Sequence, residues 1–191
     1  MLKRLSITLM CLVCLFHSFL HGLTGNLYAE SEHEKRLVWA GLELFPSFLA
    51  ADQDIASKAN ADGKLLIVLL FRDDSDSANK MAASLMAIKG IRGISIEIKV
   101  EDLNSLHRYK KNPPAGIFLT QRFYNDIEAI VRFGIENKIL VFSPFIRDVE
   151  SGVPCGIFVG DRILPYVNKQ ALNNVGIRLK DFFLRVAKYH E

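Results

Sequence analysis

From Lys64 to Phe71 the chain reads KLLIVLLF, an apolar run with no polar alternation. Such a run predicts a strand covered on both faces, because each face of a buried parallel sheet must be apolar. Ala115 to Thr120 and Ile139 to Phe142 repeat the pattern in shorter form, the second stopped by Ser143-Pro144. Ile94, Ile96, Ile98 and Val100 instead alternate with Ser95, Glu97 and Lys99, which predicts a strand with one wet face, lying toward an edge. Val153 to Asn168 divides into two apolar runs at Gly160-Asp161. That dipeptide suits a two-residue hairpin turn with positive φ. Pro154 and Pro165, unable to donate to a ladder, put the hairpin at the sheet margin.

Between the strands the apolar period lengthens. Leu37, Val38, Leu42, Phe45, Phe48 and Leu49 share one helical face after a Ser31/Glu34 pair at capping-box spacing. Pro46 predicts a kink there or a second short helix, and Trp39 beside the stripe is expected in the core. Arg72-Asp-Asp-Ser-Asp predicts a polar loop and cap, followed by a helix through Ala78, Met81, Ala82, Leu85 and Met86 that ends by Gly90. Leu103 to Tyr109 predicts a helical turn and Asp126 to Phe133 a helix. Ile177, Leu179, Phe182, Phe183, Val186 and Ala187 recur at helical spacing, with Arg178, Lys180, Arg185 and Lys188 outside the stripe, and predict a closing amphipathic helix that lies on the sheet.

Strands alternating with helices predict an α/β fold, a mostly parallel sheet with helices on both faces and an edge hairpin. The strand hydrophobicities also suggest an order. The alternating strand lies outside, followed by Lys64 to Phe71, Ala115 to Thr120, Ile139 to Phe142 and finally the hairpin.

Composition sets the context. With 191 residues, half of them hydrophobic, the chain has material for one well-packed domain. Its start, Met1-Leu-Lys-Arg followed by a mostly apolar Leu5 to Leu20 and a polar stretch from Glu30 to Arg36, reads as a cleaved secretory signal over residues 1–29, with the domain at 30–191. The expectation is an exported protein. Removing that segment takes away Lys3 and Arg4, leaving 22 bases from 24 against 21 acids, a charge of +1. Charges of both signs are interspersed and no basic stripe alternates with aromatics, so nucleic acid is not an expected partner. Cys11 and Cys14 leave with the signal, and Cys155 inside an apolar strand reads as buried and inert.

In an open sheet a ligand binds beyond the carboxyl ends of the strands, where the crossover direction reverses. The predicted order puts that point between the strands ending at Phe71 and Thr120. Arg72, Asp73, Ser75, Thr120, Gln121 and Arg122, with Ser143 and Arg147 farther along, are the candidate ligand-binding residues. Two arginines beside helix starts suit an anion or carboxylate. The plainer alternative is solvated loop residues that cap helices. No glycine-rich phosphate loop, G-x-S-x-G elbow, HExxH or paired CxxC is present. His33, His107 and His190 are scattered singly. No catalytic residue, metal site or cofactor is therefore expected.

Gly152, Gly156-Ile-Phe, Pro165-x-Val-Asn168, Ala171-Leu172, Gly176-Ile-x-Leu179 and Phe183-Leu-x-Val-Ala187 resemble the close of the YfiR-like family of small exported proteins. Phe45-Pro46 stands where that family often has Trp-Pro, and Ile91-Arg-Gly-Ile-Ser-Ile-Glu looks like its alternating second strand. Of these, Pro46, Gly156, Pro165, Asn168, Leu179 and Ala187 read as structural positions. The resemblance implies a Rossmann-like three-layer sandwich, often a homodimer, that restrains a membrane-bound diguanylate cyclase through its periplasmic segment. The expected function is accordingly a non-enzymatic periplasmic regulator of an inner-membrane signalling protein, a cyclase or histidine kinase, with a small-molecule ligand at the strand ends. The alternatives are a solute-binding protein linked to a transporter and, behind it, a small exported enzyme.

Overall fold

The computed structural model describes residues 32–190. The expected signal segment, its cleavage point and the Ser31 cap lie outside the described residues. The chain divides into two compact units, Met1–Leu37 and Val38–Glu191. In the first, residues 32–37 are helical and Lys35 Nζ meets Glu32 Oε1 at 2.8 Å.

Seven strands form one sheet in the order β2-β1-β3-β4-β5-β6-β7. They are β1 (Leu65–Phe71), β2 (Ile96–Asp102), β3 (Gly116–Leu119), β4 (Leu140–Ser143), β5 (Cys155–Val159), β6 (Ile163–Asn168) and β7 (Lys188–His190). Every neighbouring pair is parallel except β5–β6. The predicted order of the first strands is the observed one. β1 lies second from the margin, and the alternating strand β2 forms the edge beside it.

Helices cover both faces. Residues 38–51 form α1, whose buried Phe45 and Phe48 meet Phe118 of β3 and Phe142 of β4, with ring centroids between 5.2 and 5.5 Å apart. Phe118 and Phe142 share that face because they are partners in parallel register. On the opposite face Val68, Leu70, Ile117, Leu119 and Val141 pack with Phe123 and with Ile127, Ile130 and Phe133 of α3 (Ile127–Asn137). Leu106 and Tyr109 of the 3-10 helix Leu103–Lys110 close the same cluster. The crossover α2 (Ser75–Met86) buries Ala78, Met81, Ala82 and Leu85. This is the three-layer α/β sandwich that the pattern predicts.

Several elements differ from expectation. α1 runs through Pro46 as one helix, with no second helix starting there. Trp39 is 40% exposed rather than core, and Met86 also faces solvent. The hairpin connection is Gly160–Arg162, three residues long, and neither Gly160 nor Asp161 has a positive φ. The hairpin is not the sheet's last element, because β7 pairs in parallel with β6, Tyr166 opposite Lys188. Pro165 is tolerated in β6 because that pairing begins one residue after it.

The largest correction concerns the close of the chain. The long amphipathic helix does not form. α5 (Lys169–Val175) stops at Gly176, whose φ of 75° is left-handed, the conformation that glycine adopts without a Cβ penalty. Residues 177–180 then extend along the end of α1: Leu179 bridges Asp52, Gln53 N donates to Arg178 O at 2.9 Å, and Lys180 N donates to Ala51 O at 2.9 Å. A single turn, α6 (Asp181–Leu184), buries Phe183 edge-on against Phe48 at 4.8 Å before the chain enters β7. The apolar spacing of residues 177–187 therefore serves a strap, a turn and a strand.

Two of the positions named for the family resemblance, Gly156 and Asn168, make close packing or capping contacts. A Cβ added to Gly156 would stand 2.3 Å from Ser143 O. Asn168 caps α5, its carboxamide oxygen accepting from Ala171 N at 2.9 Å while its nitrogen donates to Val149 O at 2.9 Å.

Candidate functional site

The switch point is where the order predicts, between β1 and β3: from β1 the chain crosses outward to β2, whereas from β3 it crosses the other way to β4. Gln121, just beyond β3, ties the two strand ends together. Its carboxamide oxygen accepts from Arg72 N and Asp73 N, each at 3.1 Å, and its nitrogen donates to Asp73 Oδ2 at 3.0 Å. Asp74 is the cap of α2 and accepts from Ser77 N at 2.9 Å. Hydrogen bonds from the Ser77 side chain and backbone hold the Asp74 carboxyl below its ordinary range. Ser75 opens α2, and its carbonyl accepts from Asn79 Nδ2 at 2.8 Å.

The two arginines are each engaged by a neighbour. Arg72 is ion-paired with Asp126, at the amino end of α3, and its guanidinium lies 5.9 Å from the Phe123 ring centroid. Arg122 lies 4.3 Å over the ring of Phe145, near enough for a cation–π attraction. Thr120 is buried, and its hydroxyl donates to Leu70 O at 2.8 Å, continuing the β1–β3 ladder by a side chain. Ser143, fully buried at the end of β4, donates to Asp148 Oδ2 at 2.6 Å and accepts from Phe145 N at 3.2 Å. That pair fixes the turn into α4 (Ile146–Glu150), which carries the exposed Arg147.

The structure therefore brings Arg72, Asp73 and Gln121 into one network. Thr120 and Ser143 are internal braces, whereas Arg122 and Arg147 belong to the rim. Asp126, Phe145 and Asp148 complete the arrangement and were not among the sequence candidates. Asp148 stands five residues after Ser143, between Arg147 and Val149, a spacing that periodicity alone does not pair. On the same rim Tyr124 is 77% exposed and Ile146 is partly so.

Cys155 is buried at mid-sheet opposite Phe142. Burial first, and then the nearby Asp52 carboxylate, push its thiol well above the ordinary range, although Lys58 acts the other way. His107 is held at 2.7 Å from Asn104 O, remote in sequence from Cys155. Among the described residues no group of three His, Cys, Asp or Glu side chains is placed to hold a metal, and no helix is long and apolar enough to cross a membrane.

No protein-family model matches the chain, and no curated protein matches it. Solved structures do. The ABC domain from Streptococcus pneumonia in complex with L-Trp superposes with a TM-score of 0.51 at 11% identity, covering 80% of this chain and 59% of that one. A conserved domain protein from Vibrio cholerae O1 biovar eltor has a TM-score of 0.52 at 14% identity, covering 71% and 57%. The chain thus spans somewhat more than half the length of these neighbours. At such identities the likeness is one of fold, the Rossmann-like α/β sandwich.

Proposed function

We propose that the chain is an exported regulatory binding domain of the YfiR-like kind, acting in the periplasm without turnover on an inner-membrane signalling protein such as a diguanylate cyclase or histidine kinase. The observation that carries this reading is the division of labour at the carboxyl ends of the strands. The polar side chains of the crevice are engaged with one another through Gln121 and through the Arg72–Asp126 and Ser143–Asp148 pairs. Beside them Tyr124, Ile146 and Arg147 are exposed, while Arg122 lies over the buried ring of Phe145. Exposed aromatic and arginine side chains on a braced scaffold are the composition of a protein contact. A ligand entering the crevice would regulate only by binding one partnered state better than the other.

The test is affinity capture of the tagged chain from its own membranes, together with cyclic dinucleotide levels in a deletion strain. Capture of a membrane protein with a cyclase or kinase output domain supports the reading. Capture of none, with unchanged nucleotide levels, overturns it.

A second reading, a small solute-binding protein linked to a transporter, is favoured by the S. pneumonia neighbour, whose structure is a complex with L-Trp. A saturable thermal shift with one amino acid would move the assignment there.

A further inference from the structure

The margin of the sheet formed by β6, α6 and β7 concentrates charge. From Arg162 to His190 the chain has six bases against one acid, Asp181, a local excess of five on a chain whose whole net charge is +3. Arg178 is spoken for by Asp54, which it meets at 3.0 Å. Among the described residues Arg162, Lys169, Lys180, Arg185 and Lys188 have no carboxylate partner. Lys188 lies 5.2 Å over the Phe158 ring and Lys180 lies 5.9 Å from that of Phe182.

The same margin leaves apolar side chains in water. Phe183 of α6 turns inward, so Phe182 and, four residues on, Val186 turn outward, 57% and 58% exposed. At the turn end of the hairpin Val159 and Ile163, cross-strand partners, are both exposed. β7 pairs only with Tyr166, Val167 and Asn168, and Ile163–Pro165 have no strand beyond them. Exposed apolar side chains interleaved with cationic ones that lack counter-ions form an amphipathic margin. Three of its five free cations are lysines, point charges suited to a diffuse anionic surface rather than to the bidentate capture of one carboxylate.

We propose that this margin docks on an anionic lipid bilayer, with Phe182 and Val186 entering the interface and Lys180, Arg185 and Lys188 lying over the phosphates. This inference is independent of which signalling protein, if any, the strand-end rim contacts.

The test uses the full chain and its single tryptophan. Trp39→Phe with Phe182→Trp places the only indole on the margin, so its emission reports contact there whatever residues 1–31 do. With phosphatidylcholine vesicles containing phosphatidylglycerol, the emission should shift to the blue and be quenched by brominated lipid. The effect should weaken at high salt and be absent with phosphatidylcholine alone. Adding Lys180→Gln, Arg185→Gln and Lys188→Gln should lower apparent affinity roughly tenfold or more. An unshifted emission, an equal response to both lipids, or full affinity in the triple variant would overturn the proposal. So would a response to an acidic protein and none to anionic vesicles.

Discussion

Lys58 Nζ lies 2.8 Å from Asp52 Oδ2, with the Asp52 side chain only 1% exposed. Neither atom is in hydrogen-bonding geometry, so the contact is Coulombic, while the other Asp52 oxygen accepts from Asp54 N at 2.9 Å. The pair fastens the end of α1 to the 3-10 helix Ile55–Lys58, next to the residues where the strap bridges Asp52. Removing the cation leaves a buried charge uncompensated. Lys58→Met should cost about 3 kcal/mol in urea unfolding, whereas Lys35→Met at the exposed Glu32 pair should be near neutral. Equal small losses would show that the Asp52 carboxylate reaches water.

Adjacent phenylalanines of α6 separate the strap from the helix that the spacing predicts. Phe183→Ala should cost about 3 to 5 kcal/mol, because its ring fills space against Phe48. Phe182→Ala should change stability by less than about 0.5 kcal/mol. Comparable losses at both positions would mean that residues 181–187 present two buried faces.

These positions mark how far the sequence was legible. The continuous runs that became β1, β3 and β4 and the alternation that became β2 are local patterns with a direct physical meaning, and the strand order followed from them. The switch point followed from the order. Residues 177–187 misled because apolar positions spaced three and four apart suit a helix, yet Gly176 ends α5 and the extended stretch finds backbone partners on α1, more than a hundred positions earlier. Trp39 misled because an aromatic beside an apolar stripe is usually buried. Asp52, Lys58, Asp126 and Asp148 carry no local signature at all, since each is defined by a partner that only the fold brings near. At the site Arg72, Asp73 and Gln121 were legible as neighbours through the switch point. Their mutual bracing was not, because a carboxamide that joins two loops looks in sequence like any polar turn residue.

Gln121 supplies one side chain to three hydrogen bonds. Gln121→Ala should cost about 1 kcal/mol, since water reaches the freed groups, and should raise hydrogen exchange at Arg72 and Asp73 specifically. Unchanged exchange at those two amides would show that β1 and β3 alone fix the loop.

The raised Cys155 thiol has a defined pH sign. The unfolded chain releases this proton above the ordinary value of 9.0 while the folded chain retains it, so the unfolded state then binds fewer protons and stability falls as pH rises. Below that value the group contributes no slope. Tyr109 and Tyr166, also raised, first by burial, add to the decline above 10.0. Denaturation midpoints should drop between pH 9 and 11, less steeply in Cys155→Ala, and iodoacetamide should label Cys155 only as fast as the protein opens. Rapid labelling at pH 7 would place the thiol in contact with solvent.

The most direct measurement replaces Tyr124 with a photo-crosslinking phenylalanine in living cells. Regulation through the strand-end rim predicts an adduct with an inner-membrane protein that carries a cyclase or kinase output domain, lost when Arg122 is changed to Glu. No adduct at position 124 or 146, with the protein exported and folded, would contradict it.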